Sequence, residues 1–344
     1  MIEQAKLADD DIKAQVDAAV ESGMCTAVWA QIQPERVAVS ELNGRRRTFG
    51  ELNRNANRLV RLMRSYGLTA GDAVAIVCSN RVEFPEVLFA ALRGGFRLTP
   101  VNWHLKAEEM AYVIDNCEAK ALFVETSLAG AVEAAASCPR LRLRVAIGQT
   151  PAGFVPYEAI EAHAGSDIDD PVRGSTMLYS SGTTGRPKGV YKPGAQAIGG
   201  YDAIYDRSID KHICTGPAYH ASPLAGDIRR ALNNGVPTVL VDKWDTERVL
   251  QVMQDEKVTR GHFVPIMFQR MLALPEETRA RYDLSSIRRI THGAAPCPPE
   301  VKRAMIEWLG PVLYEYYAGS EGGVGFTVTS EEWLKRPGTG GRRP

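Results

Sequence analysis

The segment Tyr179-Ser180-Ser181-Gly182-Thr183-Thr184-Gly185-Arg186-Pro187-Lys188-Gly189-Val190 packs hydroxyls, glycines and one lysine into a short loop after the apolar run Thr176-Met177-Leu178. Glycines let a backbone turn sharply and bring its N–H groups close to a bound anion. The Ser and Thr hydroxyls add donors, and Lys188 adds a compact positive charge. That inventory suits a polyphosphate. The spacing is not that of a Walker A loop, which needs four residues between its glycines and a lysine followed by Ser or Thr. Here two residues separate Gly182 from Gly185, and Gly189 follows Lys188. Pro187 stiffens the approach to the lysine. The plain alternative is a solvated Gly/Ser/Thr turn.

A loop of this kind has to be held by regular elements, and helix and strand signals alternate around it. Leu52, Leu59, Leu62, Met63 and Tyr66 recur at helical spacing, with Gly67 as a stop. Residues 73–78 read as a buried strand, 83–92 as a helix ending at Gly94-Gly95, and 107–116 as a helix leading into a strand near 120–124. Residues 129–137 and 141–147 repeat the order. After a Pro-, Gly- and Asp-rich connection over 150–173, the alternation resumes. Strands are expected at 238–241, 262–264, 287–291 and 312–316. Helices are expected at 246–255, capped by Asp245, and at 300–308 after Pro298-Pro299. Such alternation predicts an α/β layer with a largely parallel sheet. Two α/β units would leave a crevice where strand ends converge, and such crevices bind ligands.

The loop resembles the phosphate-binding signature of the adenylate-forming superfamily, and other segments in family order support the likeness. Thr48-Phe49-Gly50-Glu51-Leu52 and Pro100-Val101-Asn102-Trp103-His104-Leu105, with Glu108-Glu109 after it, are similar to early family segments. Gly293-Ala294-Ala295-Pro296 resembles the adenine-binding strand end. Tyr316-Tyr317-Ala318-Gly319-Ser320-Glu321-Gly322 resembles the aromatic-to-glutamate motif. Ser320 stands where the family usually has Thr and keeps the hydroxyl; Ala318 replaces a usual Gly.

The resemblance implies an AMP-forming acyl-CoA synthetase that uses ATP, Mg²⁺ and CoA on a fatty, aromatic or alicyclic acid. Ser181, Gly182, Thr183, Thr184, Gly185 and Lys188 would bind the β,γ-phosphates, and Ser320 would contact the α-phosphate. Glu321 would hold Mg²⁺, a cation that prefers oxygen ligands. Tyr317 would stack on adenine, with Gly293, Ala294 and Ala295 letting the base approach the backbone. His220, in Ala218-Tyr219-His220-Ala221-Ser222-Pro223-Leu224, matches a family position near the entering carboxylate. The competing readings are a surface carboxylate for Glu321, core packing for Tyr317 and a structural imidazole for His220. His262, His292 and Trp244 are read as structural rather than as pocket residues, and the histidines lack metal-site spacing.

The implied fold is α/β, with two stacked α/β subdomains at 1–170 and 171–326, and the start of a β-barrel segment at 327–344. Family members continue into the rest of that barrel, a ribose-binding aspartate, a hinge and a lid carrying the adenylating lysine. A chain ending at Pro344 is expected to lack them and to self-associate through unpaired strand edges. Two readings stay open: an acyl-CoA synthetase, and a non-catalytic remnant that binds ATP or adenylate. A luciferase-like oxygenase is a remote third.

Composition narrows the field. Among 344 residues, 41 Lys+Arg balance 41 Asp+Glu, which gives no whole-molecule steering toward nucleic acid or anionic membrane. The Arg45-Arg46-Arg47 run follows Asn43-Gly44, a hairpin-turn signal, and is read as a solvated hairpin face. Six scattered cysteines without paired spacing suit reduced thiols in a cytoplasmic protein. Cys78 and Cys117 are expected in the core. The apolar stretch from Phe84 to Val101 is broken by Glu86, Arg93 and Gly94-Gly95, too often to span a bilayer.

Overall fold

The computed structural model describes residues 9–180, 186–191, 200–319 and 325–342. Two helices, α1 (Asp9–Val20) and α2 (Cys25–Ile32), precede a hairpin of β1 (Val37–Glu41) and β2 (Arg46–Thr48). There follow α3 (Phe49–Ser65), β3 (Ala73–Val77), α4 (Glu83–Gly94), β4 (Arg97–Pro100), α5 (Ala107–Asn116) and β5 (Ala119–Glu125). Next come α6 (Ala131–Ala136), β6 (Leu143–Ile147), β7 (Val155–Pro156), a short 3₁₀ turn (Tyr157–Ala162) and β8 (Ser175–Thr176). A ribbon of β9 (Leu178–Ser180) and β10 (Lys188–Val190) leads to β11 (His212–Cys214), a π-helix (Pro223–Arg230), α7 (Ala231–Asn233) and β12 (Thr238–Leu240). The chain continues through α8 (Thr246–Asp255), β13 (Arg260–Phe263), α9 (Pro265–Leu272), α10 (Glu276–Arg279) and β14 (Arg289–His292). It ends with α11 (Pro299–Leu309), β15 (Leu313–Tyr317), β16 (Phe326–Thr329) and α12 (Ser330–Lys335).

The expected α/β alternation is present, element by element, because its signals are local. Thr48 and Glu51 form a reciprocal capping box that starts α3. Gly95 ends α4 in the left-handed region at φ 78°, where a side chain would also press on Ala70. Asp245 caps α8 by accepting from the Arg248 amide. Asn43-Gly44 turns the β1–β2 hairpin, with Gly44 at φ 90°.

Besides the two-stranded β9–β10 ribbon, the described strands form two large sheets, and each takes in strand residues from the other half of the sequence. A six-stranded sheet runs β7-β6-β5-β3-β4-β8 and is parallel throughout. An eight-stranded sheet runs β16-β15-β14-β13-β11-β12-β1-β2, parallel from β15 to β1 and antiparallel at both edges. The early hairpin thus edges the later sheet, while β8 edges the earlier one.

Three cores make the layering explicit. One lies outside the six-stranded sheet, where Ala75, Val77, Leu122 and Val124 meet α5 and α6. A second lies outside the eight-stranded sheet, where Ile213, Phe263, Ile290 and Leu313 meet α8, α9 and α11. The central core joins Ile76 and Phe123 of one sheet to Ala38, Cys214 and Leu240 of the other through α3 and α4. Both sheets therefore share one helical layer.

Every residue of α4 is buried, so its charges are answered internally. Glu83 pairs with Arg45 and Arg81. Burial alone would raise its pKa; the two arginines override this and hold it below the usual carboxylate range. Glu86 accepts from Arg47 and Asn55 at 2.8 and 2.7 Å and from the Tyr157 hydroxyl. Arg93 donates to Asn53, Asn57 and Thr26, and burial lowers its pKa to about 10. The hairpin arginines are corrected by these pairs: Arg45 and Arg47 face inward onto α4, and only Arg46 is solvated. Cys78 and Cys117 are buried as expected.

One side-chain amide ties the sheets directly, alongside the Glu41 carboxylate of β1, which accepts from the Val82 amide at 2.8 Å. Asn80, 4% exposed in the loop after β3, donates to the carbonyls of Gly216 at 2.8 Å and Val241 at 2.9 Å. Its own carbonyl accepts from the Ala218 amide at 2.8 Å.

Leaving those backbone groups unpaired should cost Asn80→Leu roughly 2–4 kcal/mol of stability, read as a lowered urea midpoint; a parent-like midpoint would remove Asn80 from this role. Arg93→Met strands three buried acceptors and should cost a similar amount, roughly 2–4 kcal/mol, measured the same way.

Candidate functional site

The candidate adenine-site residues collect where β14 and β15, parallel neighbours, both end. Gly293 follows β14 and packs directly on the next strand: a Cβ there would lie 2.6 Å from the Tyr316 carbonyl oxygen and 2.7 Å from its ring. Only glycine fits that approach. Ala294 then takes φ 65°, a left-handed turn that costs a non-glycine residue about 1–2 kcal/mol, and carries the chain away with Ala294 and Ala295 exposed. Tyr317, at the end of β15, is 71% exposed with its ring tilted 6.5 Å from that of Phe326. Core packing, the competing reading for Tyr317, is thereby excluded.

His220 reaches the same end of the sheet from β11. Asn80 holds the intervening loop at Gly216 and Ala218. The imidazole is exposed beside Tyr219, at 4.6 Å between ring centroids, and partial desolvation lowers its pKa. Two residues on, the Ser222 hydroxyl meets the Tyr316 hydroxyl at 2.6 Å, and the same phenol meets His262 Nε2 at 2.9 Å. Tyr316 so fastens the start of the π-helix to β15 and β13.

Lys188 stands on the separate β9–β10 ribbon, opposite Ser180, with its side chain exposed. Gly189 beside it lies under Met177, whose Cε would be 2.2 Å from an added Cβ. The ribbon leans on α5: Tyr179 donates to Asn116 at 2.5 Å and Arg186 lies over the Tyr112 ring at 5.3 Å. Ser181, Gly182, Thr183, Thr184 and Gly185, between the two strands, lie outside the described residues, as do Ser320 and Glu321. Gly293, Ala294, Ala295, Tyr317 and the His220 segment are thus brought to one end of the eight-stranded sheet.

Beside them opens a cavity of about 640 Å³ between the π-helix and the sheet. Ser222, Tyr316, Ala318 and Gly319 line the end near the strand termini; Arg230, Arg260 and Arg289 line it farther back. His262 is a wall residue here, which corrects its structural reading: it is buried, its pKa is pushed down to about 4 by desolvation, and it bonds Tyr316 rather than the core. His292 and Trp244 keep their structural assignment, on the opposite face against Phe268 and Phe263.

The signal for this cavity was present in the sequence but crossed elements. Interior parallel strands are normally apolar on both faces. Instead Arg260 and His262, Arg289 and Thr291, and Tyr314 and Tyr316 alternate with the core residues Phe263, Ile290 and Leu313, so one face of three neighbouring strands is polar. π-Helical turns are rare and cluster at functional sites, and here one forms the opposite wall. Among the described residues, no three His, Cys, Asp or Glu side chains converge as a metal site.

Comparison with known proteins agrees with this arrangement. Residues 26–343 match the family of AMP-binding enzymes. An indoleacetate–CoA ligase of Aromatoleum aromaticum is 30% identical over 301 residues, 85% of this chain and 58% of the relative. A long-chain-fatty-acid–CoA ligase of Mycobacterium tuberculosis is 25% identical over 308 residues, 86% of this chain and 59% of the relative. The chain therefore spans rather more than half the length of the curated relatives it matches. A fatty acyl CoA synthetase of Mycobacterium tuberculosis superposes with a TM-score of 0.79 at 22% identity, over 95% of this chain and 65% of that one. An anthranilate–CoA ligase in complex with anthranoyl-AMP gives 0.77 at 20%, over 93% and 63%; at such identities the likeness bears on the fold. With nearly its whole length matched to one family and both sheets shared with solved ligases, the chain belongs to the AMP-binding enzymes.

Proposed function

We propose that the chain carries the ATP- and acid-binding half of an AMP-forming acid–CoA ligase. The observation that carries this reading is the cavity that ends at Ala318-Gly319, immediately before Ser320-Glu321 in the chain, beside the exposed Tyr317 ring. A nucleotide on the rim and an acid in the cavity would meet at that end of the sheet.

A carboxylate is a poor electrophile and must be activated. One of its oxygens attacks the α-phosphorus of ATP and pyrophosphate leaves; the CoA thiolate then attacks the carbonyl of the acyl-adenylate and expels AMP. Positioning and charge neutralisation do most of the work. Ser181, Thr183, Thr184 and Lys188 hold the β,γ-phosphates, with Gly182 and Gly185 beside them in the chain. Ser320 contacts the α-phosphate. Tyr317 stacks on adenine over the Gly293–Ala295 turn, and His220 faces the entering carboxylate. Magnesium, which binds through one or two carboxylates and substrate phosphates, would rest on Glu321 and supply charge neutralisation.

Lys188→Ala should weaken ATP binding by roughly 1.5–3 kcal/mol in titration calorimetry; equal affinity would remove Lys188 from the site. Pyrophosphate exchange with a panel of carboxylic acids tests the ligase reading itself. Exchange with at least one acid is expected; ATP binding without exchange on any acid would replace it with nucleotide binding alone.

A further inference from the structure

The far end of the cavity is charged. Arg230, Arg260 and Arg289 come together there, close enough that the first two help burial to depress the pKa of the third. Arg230 Nε donates to Asp202 at 2.7 Å, and Arg260 Nε to the fully buried Asp210 at 2.7 Å. Arg289 has no carboxylate partner among the described residues and lies 3.7 Å over the Tyr314 ring. Three guanidinium groups face two carboxylates, so a positive charge is left over.

The cavity wall level with these arginines is polar as well. Asp227, 1% exposed, has a carboxyl oxygen with no hydrogen-bond partner, and so does the facing Nδ1 of His212, 3.5 Å from its other oxygen. Burial raises the Asp227 pKa well above the carboxylate range and lowers that of His212 to about 3. Among the described residues Asp227 faces His212 and makes no ion pair with an arginine. An apolar tail would leave these groups desolvated and unpaired, which is unfavourable.

We propose that the cavity takes an acid bearing a second carboxylate at its far end, which pairs with Arg289 beside Arg260 and Arg230. The inference rests on the ligase reading. The near carboxylate attacks the α-phosphorus and expels pyrophosphate; the far one stays ionised and unreacted, bound in the bidentate manner that arginine favours. Asp227 and His212 offer hydrogen bonds to polar groups of the acid near the arginines.

Titration calorimetry on the whole chain tests this with straight-chain α,ω-diacids of graded length, aromatic 1,4-diacids and the matching monoacids. At the best length the diacid should bind at least about tenfold more tightly than its monoacid. Arg289→Ala should abolish that preference while keeping monoacid affinity and the parent melting temperature, and Arg289→Lys should restore part of it. Monoacids binding as tightly as diacids overturn the inference. So does an Arg289→Ala variant that loses affinity for CoA and keeps the diacid preference, because the arginines then serve the CoA phosphates. ATP titrated alongside separates the failures: bound ATP with no diacid preference sinks only this inference, and no ATP binding sinks the ligase reading.

Discussion

The arrangement depends on how two sheets are held against one another, and Asn80 is one direct tie. Its amide meets backbone groups just beyond β11 and β12 of the eight-stranded sheet, from a loop belonging to the six-stranded one. Backbone polar groups buried between layers need partners, and a side-chain amide can serve as donor and acceptor at once. Two of these bonds, to Gly216 and Ala218, fix the path from β11 to His220. Sheet-to-sheet geometry and the placement of a candidate site residue are therefore one constraint.

A second constraint is the two-faced character of β13, β14 and β15. Their apolar side closes on α8, α9 and α11, while their polar side faces the cavity. Tyr316 sits at the junction, with Gly293 pressed against its ring and its hydroxyl shared by Ser222 and His262. One aromatic residue thereby connects the turn proposed for adenine with the wall proposed for the acid.

What could be read in advance divides by range. The Asn43-Gly44 hairpin, the Gly94-Gly95 helix stop and the Asp245 cap were legible because each acts within a few residues. Glu86 and Arg93 were read as interruptions of an apolar run, and the hairpin arginines as solvated. Both readings missed that the charges meet one another, because Arg47 and Glu86 are 39 residues apart. Asn80 gave no signal, since its partners lie 136 and 161 residues away. The His262 reading failed for a related reason: an isolated histidine reveals its role only when Arg289, Thr291 and Tyr316 line up across neighbouring strands. The phosphate loop and the Ser320-Glu321 pair were visible as motifs, and they fall outside the described residues.

The shared layer of α3 and α4 has a bearing on how the molecule comes apart. Separating the eight-stranded sheet from this layer would expose an α-helix with no solvent face and strip Glu83 of Arg45 and Glu86 of Arg47. Partial opening at that seam is thus uphill. Cooperativity here comes from a common middle, not from a boundary between halves.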